Sequence, residues 1–391
     1  MQRIDILTSL PSRLSCIIMQ DWLDLKSVMK LNSAYCCEAH RRNFTDLVRS
    51  DEYFVHEEVT FESWSNLFHA LPMFGEKLRS VAFAGRLSPE HEQLVIENCH
   101  NLTRVRFRGY NNCTHKLCCV LGNKIVLLNI SETFLDYSLL QRISQLCSNV
   151  RTLGLAHTRL TNDMLTEITK ACPFIVLLDI AHNNELTDSA ILSMVVGLKS
   201  LRGLNIEGCA SLTDASLVHI YTHSAGTLHT LQMNCREITY RSNKSSFSVS
   251  AINALLEHCT QLHTFCTVGS YRGNATTTIN ISPIAVRNVS TLILQHAVYV
   301  DMVDATPESC VNLHTIVTDV LYSVDCLIYL ARQYFNLKEV RLVIGSQYES
   351  KFYEVVDYVK DMRHVLERFK PGLVVKCIHP HERDSIEQVA Y

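Results

Sequence analysis

The sequence predicts an α/β solenoid of about eleven strand–helix repeats, preceded by a small all-helical module. Three observations carry that expectation. Apolar sextets of the pattern Leu-x-x-Leu-x-Leu begin at Leu78, Leu102, Ile125, Val150, Ile175, Leu201, Leu228, Leu262, Val289, Leu313 and Leu337, in steps of 24, 23, 25, 25, 26, 27, 34, 27, 24 and 24 residues. Within the sextets the last two apolar residues alternate with others, as in Val105-x-Phe107, Leu153-x-Leu155 and Leu204-x-Ile206. That is the period of a strand with one buried face. Between sextets the period turns helical. A unit of about 25 residues cannot bury its apolar face alone, so the units must stack.

Residues 1–54 do not follow the repeat. They hold Leu10-Pro11, then Leu14, Ile17 and Ile18, then Trp22-Leu23-Asp24-Leu25-Lys26, then Val28 and Leu31. A proline suits the opening of a helix, where its missing N–H goes unnoticed. The spacings predict two or three short amphipathic helices with a turn at Asp24. The repeats are expected over 55–345. Their helical stripes are Leu139, Leu140, Ile143 and Leu146; Met164, Leu165, Ile168 and Cys172; Ile191, Met194, Val195 and Leu198. Thr161, Thr187 and Thr213 precede helical stretches with an Asp one or two residues later, which predicts hydroxyl caps and an acid at the positive helix end. The 34-residue step has its excess around residues 241–246, read as a polar surface loop, and a second polar insertion covers 273–278. Residues 346–391 read as a cap: an amphipathic helix over 349–369, a strand at 373–375 and a polar tail.

The 391 residues are 47% hydrophobic and 19% charged, which excludes a largely disordered chain. With 36 Lys+Arg against 39 Asp+Glu, bulk charge argues for neither nucleic acid nor membrane. The opening MQRIDILTSLPSRLS lacks a long apolar core behind a basic head, so no export signal is expected. The run Phe174–Leu178 is far short of the ~20 residues that span a bilayer. The expected location is the cytoplasm, with the nucleus also open. In that setting the 16 cysteines need not form disulfides, and eight Asn-x-Ser/Thr sequons are chemically idle.

Glu185-Leu186-Thr187-Asp188 and Gly208-Cys209-Ala210-Ser211-Leu212-Thr213-Asp214 resemble the cysteine-containing leucine-rich repeats, which commonly form the substrate-binding part of F-box proteins. The resemblance covers roughly residues 56–343. It gives the cysteines a structural phase: Cys99, Cys147, Cys172, Cys259 and Cys310 each lie three residues before a sextet. Cys209 and, one repeat earlier, Asn183 fill the turn position that hydrogen-bonds the loop backbone. A thiol at such a phase is a small buried hydrophobe. The N-terminal Leu-Pro, the two apolar stripes and the Leu-Asp resemble a degenerate F-box. It departs from the pattern by one extra residue before Leu23, by Ala34 or Tyr35 in place of the usual Val, and by lacking the following Trp. The resemblance implies docking on the Skp adaptor of a cullin–RING ubiquitin ligase through Leu10, Pro11, Leu14, Ile17, Ile18, Trp22, Leu23, Leu25, Val28 and Leu31. The alternative is a plain helical cap over the first repeat's apolar edge.

No phosphate loop, dinucleotide fingerprint, His-Glu-x-x-His or Gly-x-Ser-x-Gly is present. Cys99, His100, Cys113, His115, Cys118 and Cys119 are close enough in sequence to consider zinc, but lack the paired spacing of zinc modules. Cys377, His379 and His381 are weaker still. The expectation is no metal, no cofactor and no catalytic residue. The strand Thr103–Arg108 sends Val105 and Phe107 into the core and Arg104, Arg106 and Arg108 onto the open face of the sheet, concave in leucine-rich repeats. Its neighbours there, Ser80, Ala82 and Ala84 before and Leu127, Asn129 and Ser131 after, are small or neutral. Three unpaired guanidinium groups call for an acidic or phosphorylated segment, unless nearby acids or water satisfy them. Further along, the same face carries Asp179 and Glu207, with Asn205, Gln232 and Asn234. His229, His263 and His314 recur at the second sextet position, where they read as structural. The function expected is a non-enzymatic substrate-recognition adaptor of a Skp–cullin–F-box ligase, holding a protein target on the open repeat face. The alternative is a stand-alone repeat scaffold with no ubiquitin link. An enzyme using a zinc or cysteine site is the third reading.

Overall fold

A computed structural model describes residues 10–23, 25–34, 38–50, 53, 55, 58–62, 68, 70–85, 87–108, 121–234, 247–268, 277–280, 285–295, 298–301, 312–319, 332, 336–343 and 370–378. The chain forms two compact units, residues 1–158 with 170–175 and residues 159–169 with 176–391.

In the first unit, three helices precede the repeats: α1 (Ser12–Trp22), α2 (Leu25–Ala34) and α3 (Glu38–Arg49). Pro11 stands at the N-cap of α1, its carbonyl accepting from the Leu14 and Ser15 N–H groups at 2.9 and 3.1 Å. The module buries Ser15, Cys16 and Met19 from α1, Leu25 and Val28 from α2, and Phe44 and Val48 from α3. Its attachment to the first repeat runs through the end of α3. Lys77 Nζ donates to the Ser50 carbonyl at 2.7 Å, and the Tyr53 and Phe74 rings meet at 6.3 Å.

The repeats then run β1 (Val59–Glu62), α4 (Leu71–Phe74), a 3-10 turn at Gly75–Lys77, β2 (Ser80–Ala84), α5 (Pro89–Asn98), β3 (Arg104–Arg108), β4 (Leu127–Asn129), α6 (Tyr137–Leu146) and β5 (Thr152–Gly154). The five strands pair parallel in sequence order. β1 has no sextet. Val55 bridges to Leu78 while Val59 pairs with Val81, so four residues match three and the spacing is broken. Its core residue Phe61 continues an aromatic row, with ring centroids 5.8 Å to Phe83 and 5.2 Å from there to Phe107. Offset ring pairs of this kind add to the area they bury.

The second unit holds most of α7 (Asn162–Ala171, whose last two residues belong to the first unit), β6 (Leu177–Asp179), α8 (Asp188–Gly197), β7 (Gly203–Asn205), α9 (Asp214–Ser224), β8 (Thr230–Asn234), α10 (Val249–His258) and β9 (Thr264–Val268). After β10 (Thr277–Asn280) and a 3-10 turn at Ala285–Asn288 come β11 (Thr291–Gln295), β12 (Val298–Asp301), β13 (Thr315–Asp319), β14 (Glu339–Val343) and β15 (Val374–Ile378). Strands β6, β7, β8, β9, β11, β13, β14 and β15 are parallel neighbours in that order, and β10 pairs with β12 apart from them. Every sextet of the sequence is a strand, with β1 and β15 added, so the fold is an α/β leucine-rich-repeat solenoid. The second polar insertion is partly strand, since Thr277 and Thr278 open β10. The loop at 241–246 and the helix expected at 349–369 lie outside the described residues. No described helix is long and apolar enough to cross a membrane.

Two devices recur at the repeat period. The turn after the strand needs one residue in the left-handed region, filled by Glu132, His157, His182 and Gly208 with φ of 63°, 56°, 58° and 68°. One residue after His157, His182 and Gly208, a buried polar side chain ties the turn. Thr158 Oγ1 donates to the Leu155 carbonyl at 2.8 Å, Asn183 accepts from the Leu160 N–H and donates to the Ile180 carbonyl, both at 2.9 Å, and the Cys209 thiol donates to Ile180 at 3.1 Å. The second device links helix starts. Asn162, Asp188 and Asp214 each accept the N–H of the residue capping the next helix, Thr187, Thr213 and Ser248, at 3.0, 2.9 and 2.7 Å. The acids expected to serve their own helix dipoles thus also fasten the following repeat. Of the three expected hydroxyl caps, Thr161 and Thr213 accept a backbone N–H of their own helices, but Thr187 does not. Its Oγ1 accepts from Asn162 Nδ2 at 2.8 Å and lies 3.0 Å from the Ser189 hydroxyl instead.

Candidate protein-interaction surfaces

The N-terminal residues expected to dock an adaptor fall into two groups. Leu25 and Val28 are buried in the module's own core. Leu14 and Ile17 stand on the other side of α1, 44% and 42% exposed, with Pro11 exposed and Leu10, Ile18, Leu23 and Leu31 half-buried. Alternation around α1 explains the split, because Ser15, Cys16 and Met19 occupy the stripe that faces α3. The Trp22 side chain lies outside the described residues.

On β3, register places Ser80, Ala82 and Ala84 beside Arg104, Arg106 and Arg108. The trio is not a set of unpaired cations. Arg106 Nη1 donates to Glu58 Oε2 at 2.8 Å, both side chains 21% exposed, and the Ser80 hydroxyl bonds the same oxygen at 3.5 Å. Small residues on β2 leave the path across which Arg106 reaches. Glu58 sits one residue before β1, the strand whose broken spacing hid it, so sequence reasoning missed the partner. Arg104 is exposed, with no ion pair among the described residues. The Arg108 side chain lies outside the described residues.

In the second unit, Asp179 and Glu207 are part of one polar cluster. Asp179 Oδ1 accepts the Ala181 N–H at 3.0 Å, and Asn205 Oδ1 accepts the Glu207 N–H at 2.9 Å, so both side chains hold the strand-to-turn bend. Glu207 Oε2 accepts from Gln232 Nε2 at 2.7 Å, and its Oε1 lies 3.7 Å from His182 Nε2, an ion-pair distance. The Glu207 carboxylate raises the His182 pKa above 6.5, against burial and with help from Asp179. His182 rests over Gly208, where any Cβ would stand 2.2 Å from its ring nitrogen. The signal that could have found His182 is its equivalence with the turn glycine one repeat later.

Cys99, Cys147, Cys172, Cys209 and Cys259 are all buried and form no disulfide. Burial pushes the thiols of Cys99, Cys209 and Cys259 up to about 12 and that of Cys172 to about 11, so thiolate chemistry at neutral pH is suppressed. The Cys172 thiol donates to the Cys147 carbonyl at 3.3 Å. Cys310 lies outside the described residues, as do Cys113, His115, Cys118 and Cys119 of the zinc candidate. Among the described residues no group of three metal-ligating side chains converges.

No protein-family model and no curated protein matches the chain. Among solved structures it is similar to a chain of the crystal structure of the Rad7 and Elc1 complex in yeast. The identity is 14%, the TM-score 0.51, and the match covers 86% of this chain and 89% of that one. That likeness shows a shared fold.

Proposed function

We propose that the protein is a non-enzymatic recognition subunit of the F-box/leucine-rich-repeat type. Its N-terminal module docks on a Skp-type adaptor of a cullin–RING ubiquitin ligase, and its open repeat face holds the target protein. The observation that carries the reading is the division of labour in the N-terminal module. α3, with Phe44 and Val48 buried, does what a cap requires, and α1 still turns Leu14 and Ile17 outward. A pure cap has no use for that second apolar face. The similar chain from yeast is also seen in a complex with another protein, Elc1. Catalysis here is proximity: a target lysine held near a reactive thioester gains effective concentration without a catalytic residue of this chain.

The test is co-purification with a recombinant Skp adaptor of the full chain and of the Leu14→Glu/Ile17→Glu double variant. The substitutions fall on exposed positions, so the fold is retained. Capture by the unmodified chain alone supports the proposal. Absence of capture by either, with both folded, leaves the stand-alone scaffold as the better reading.

A further inference from the structure

We propose that the strand-entrance edge of the second unit docks an extended acidic peptide segment of the target, which gives the recognition reading above its ligand chemistry and rests on it. The residue before each strand donates its N–H to the carbonyl of its counterpart on the neighbouring strand: His229 to Arg202 at 2.7 Å, His263 to His229 at 2.9 Å, Ser290 to His263 at 2.8 Å, His314 to Ser290 at 3.0 Å and Lys338 to His314 at 2.8 Å. This ladder sets Arg202, His229, His263, Ser290, His314 and Lys338 in one row. At ~4.8 Å per strand the row is ~24 Å long, the length of about seven extended residues. Next to it lies a row of hydroxyls, Thr230, Thr264, Thr291 and Thr315, in register on β8, β9, β11 and β13.

The charge of this edge is one-sided, although the chain as a whole is nearly balanced with 36 Lys+Arg against 39 Asp+Glu. The described turns leading into the row add Lys199 and Arg287, both exposed, and no acid. Two acids are near. Glu339, beside Lys338, is already held by Arg341 at 2.9 Å and Lys376 at 2.6 Å, and Glu257 is on the last turn of α10. The ends of α9 and α10 also carry His223 and His258, which helix dipoles account for; the row itself stands on strands. Among the described residues no ion pair engages Lys199, Arg202, Arg287 or Lys338.

His229 Nδ1 is 2.5 Å from the Thr227 carbonyl, which can only accept, so that nitrogen is the donor. The His229 and His263 rings meet edge-on at 5.5 Å. Carboxylates fit this edge better than nucleic acid, because the row is one residue wide and offers no Phe, Tyr or Trp ring for bases to stack on.

The test is the fluorescence anisotropy of fluorescein-labelled octaglutamate titrated with the full chain. Binding should weaken with added salt. Arg202→Gln/Lys338→Gln should weaken it several-fold, and His229→Gln/His263→Gln/His314→Gln by a smaller factor, with melting curves confirming that both variants fold. No binding, binding unchanged in both variants, or displacement of the probe by an equal concentration of single-stranded oligonucleotide would each overturn the proposal. Adaptor capture without octaglutamate binding sinks this inference alone, whereas octaglutamate binding without adaptor capture sinks only the ubiquitin reading.

Discussion

Replacing Asp188 with alanine removes the clamp between the start of α8 and the start of α9. The carboxylate accepts three hydrogen bonds: from the Thr213 N–H at 2.9 Å, from the Thr213 hydroxyl at 2.6 Å, and from the Ser216 hydroxyl. Water can take over at Thr213, which is exposed, but Ser216 is fully buried and is left unsatisfied. An orphaned buried hydroxyl costs roughly 1–3 kcal/mol and a lost contact at a helix cap about 1 kcal/mol, so Asp188→Ala should destabilise by about 2–4 kcal/mol. Asp188→Asn should be much milder, below about 1 kcal/mol, because an amide already does this work one repeat earlier. There Asn162 accepts the Thr187 N–H at 3.0 Å and donates to its hydroxyl at 2.8 Å. The assay is urea unfolding of the unmodified chain and the two variants. Burial tends to raise the Asp188 pKa, but the bonds from Ser216 and Thr213 win and hold it below its ordinary 3.8. The charge therefore contributes stability above that value and loses it as pH falls through the folded pKa. The gap between the unmodified chain and Asp188→Asn should accordingly close in acid. Equal stability of Asp188→Ala and the unmodified chain, or an Asn variant as unstable as the Ala variant, would refute the clamp.

Gly208→Ala places a Cβ 2.2 Å from His182 Nδ1 at a backbone φ of +68°, so it should push the ring away from Glu207 and lower the melting temperature. NMR titration of the same variant should show the His182 pKa falling back toward 6.5. In the unmodified chain that raised pKa contributes stability below about pH 6.5 that is lost as pH rises through the folded value, and Glu207→Gln should remove this slope. Glu132→Gly relieves a left-handed non-glycine residue and should stabilise by about 0.5–1 kcal/mol, read as a higher unfolding midpoint. The thiols of Cys99, Cys209 and Cys259, pushed up to about 12, should resist alkylation at neutral pH until the chain unfolds. Fast labelling in native buffer would contradict their burial.

The sequence alone determined the repeat, because a leucine that recurs at a fixed step and alternates within it reports its own burial: Leu78 through Leu337 all lead into strands. It also determined the phase of Cys209 and Asn183, since both belong to a local turn motif. The tertiary structure decided everything that depends on which residues lie side by side a full repeat apart. Glu58 meets Arg106 across 48 residues, Asp188 meets Thr213 across 25, and His182 meets Glu207 only because one turn stacks on the next. A single extra residue between Val55 and Val59 hid β1, and with it the acid that neutralises Arg106. Period is a property of one stretch of chain and can be read along it. Pairing is a property of register between stretches, and a polar side chain carries no mark of the neighbour that stacking will bring to it.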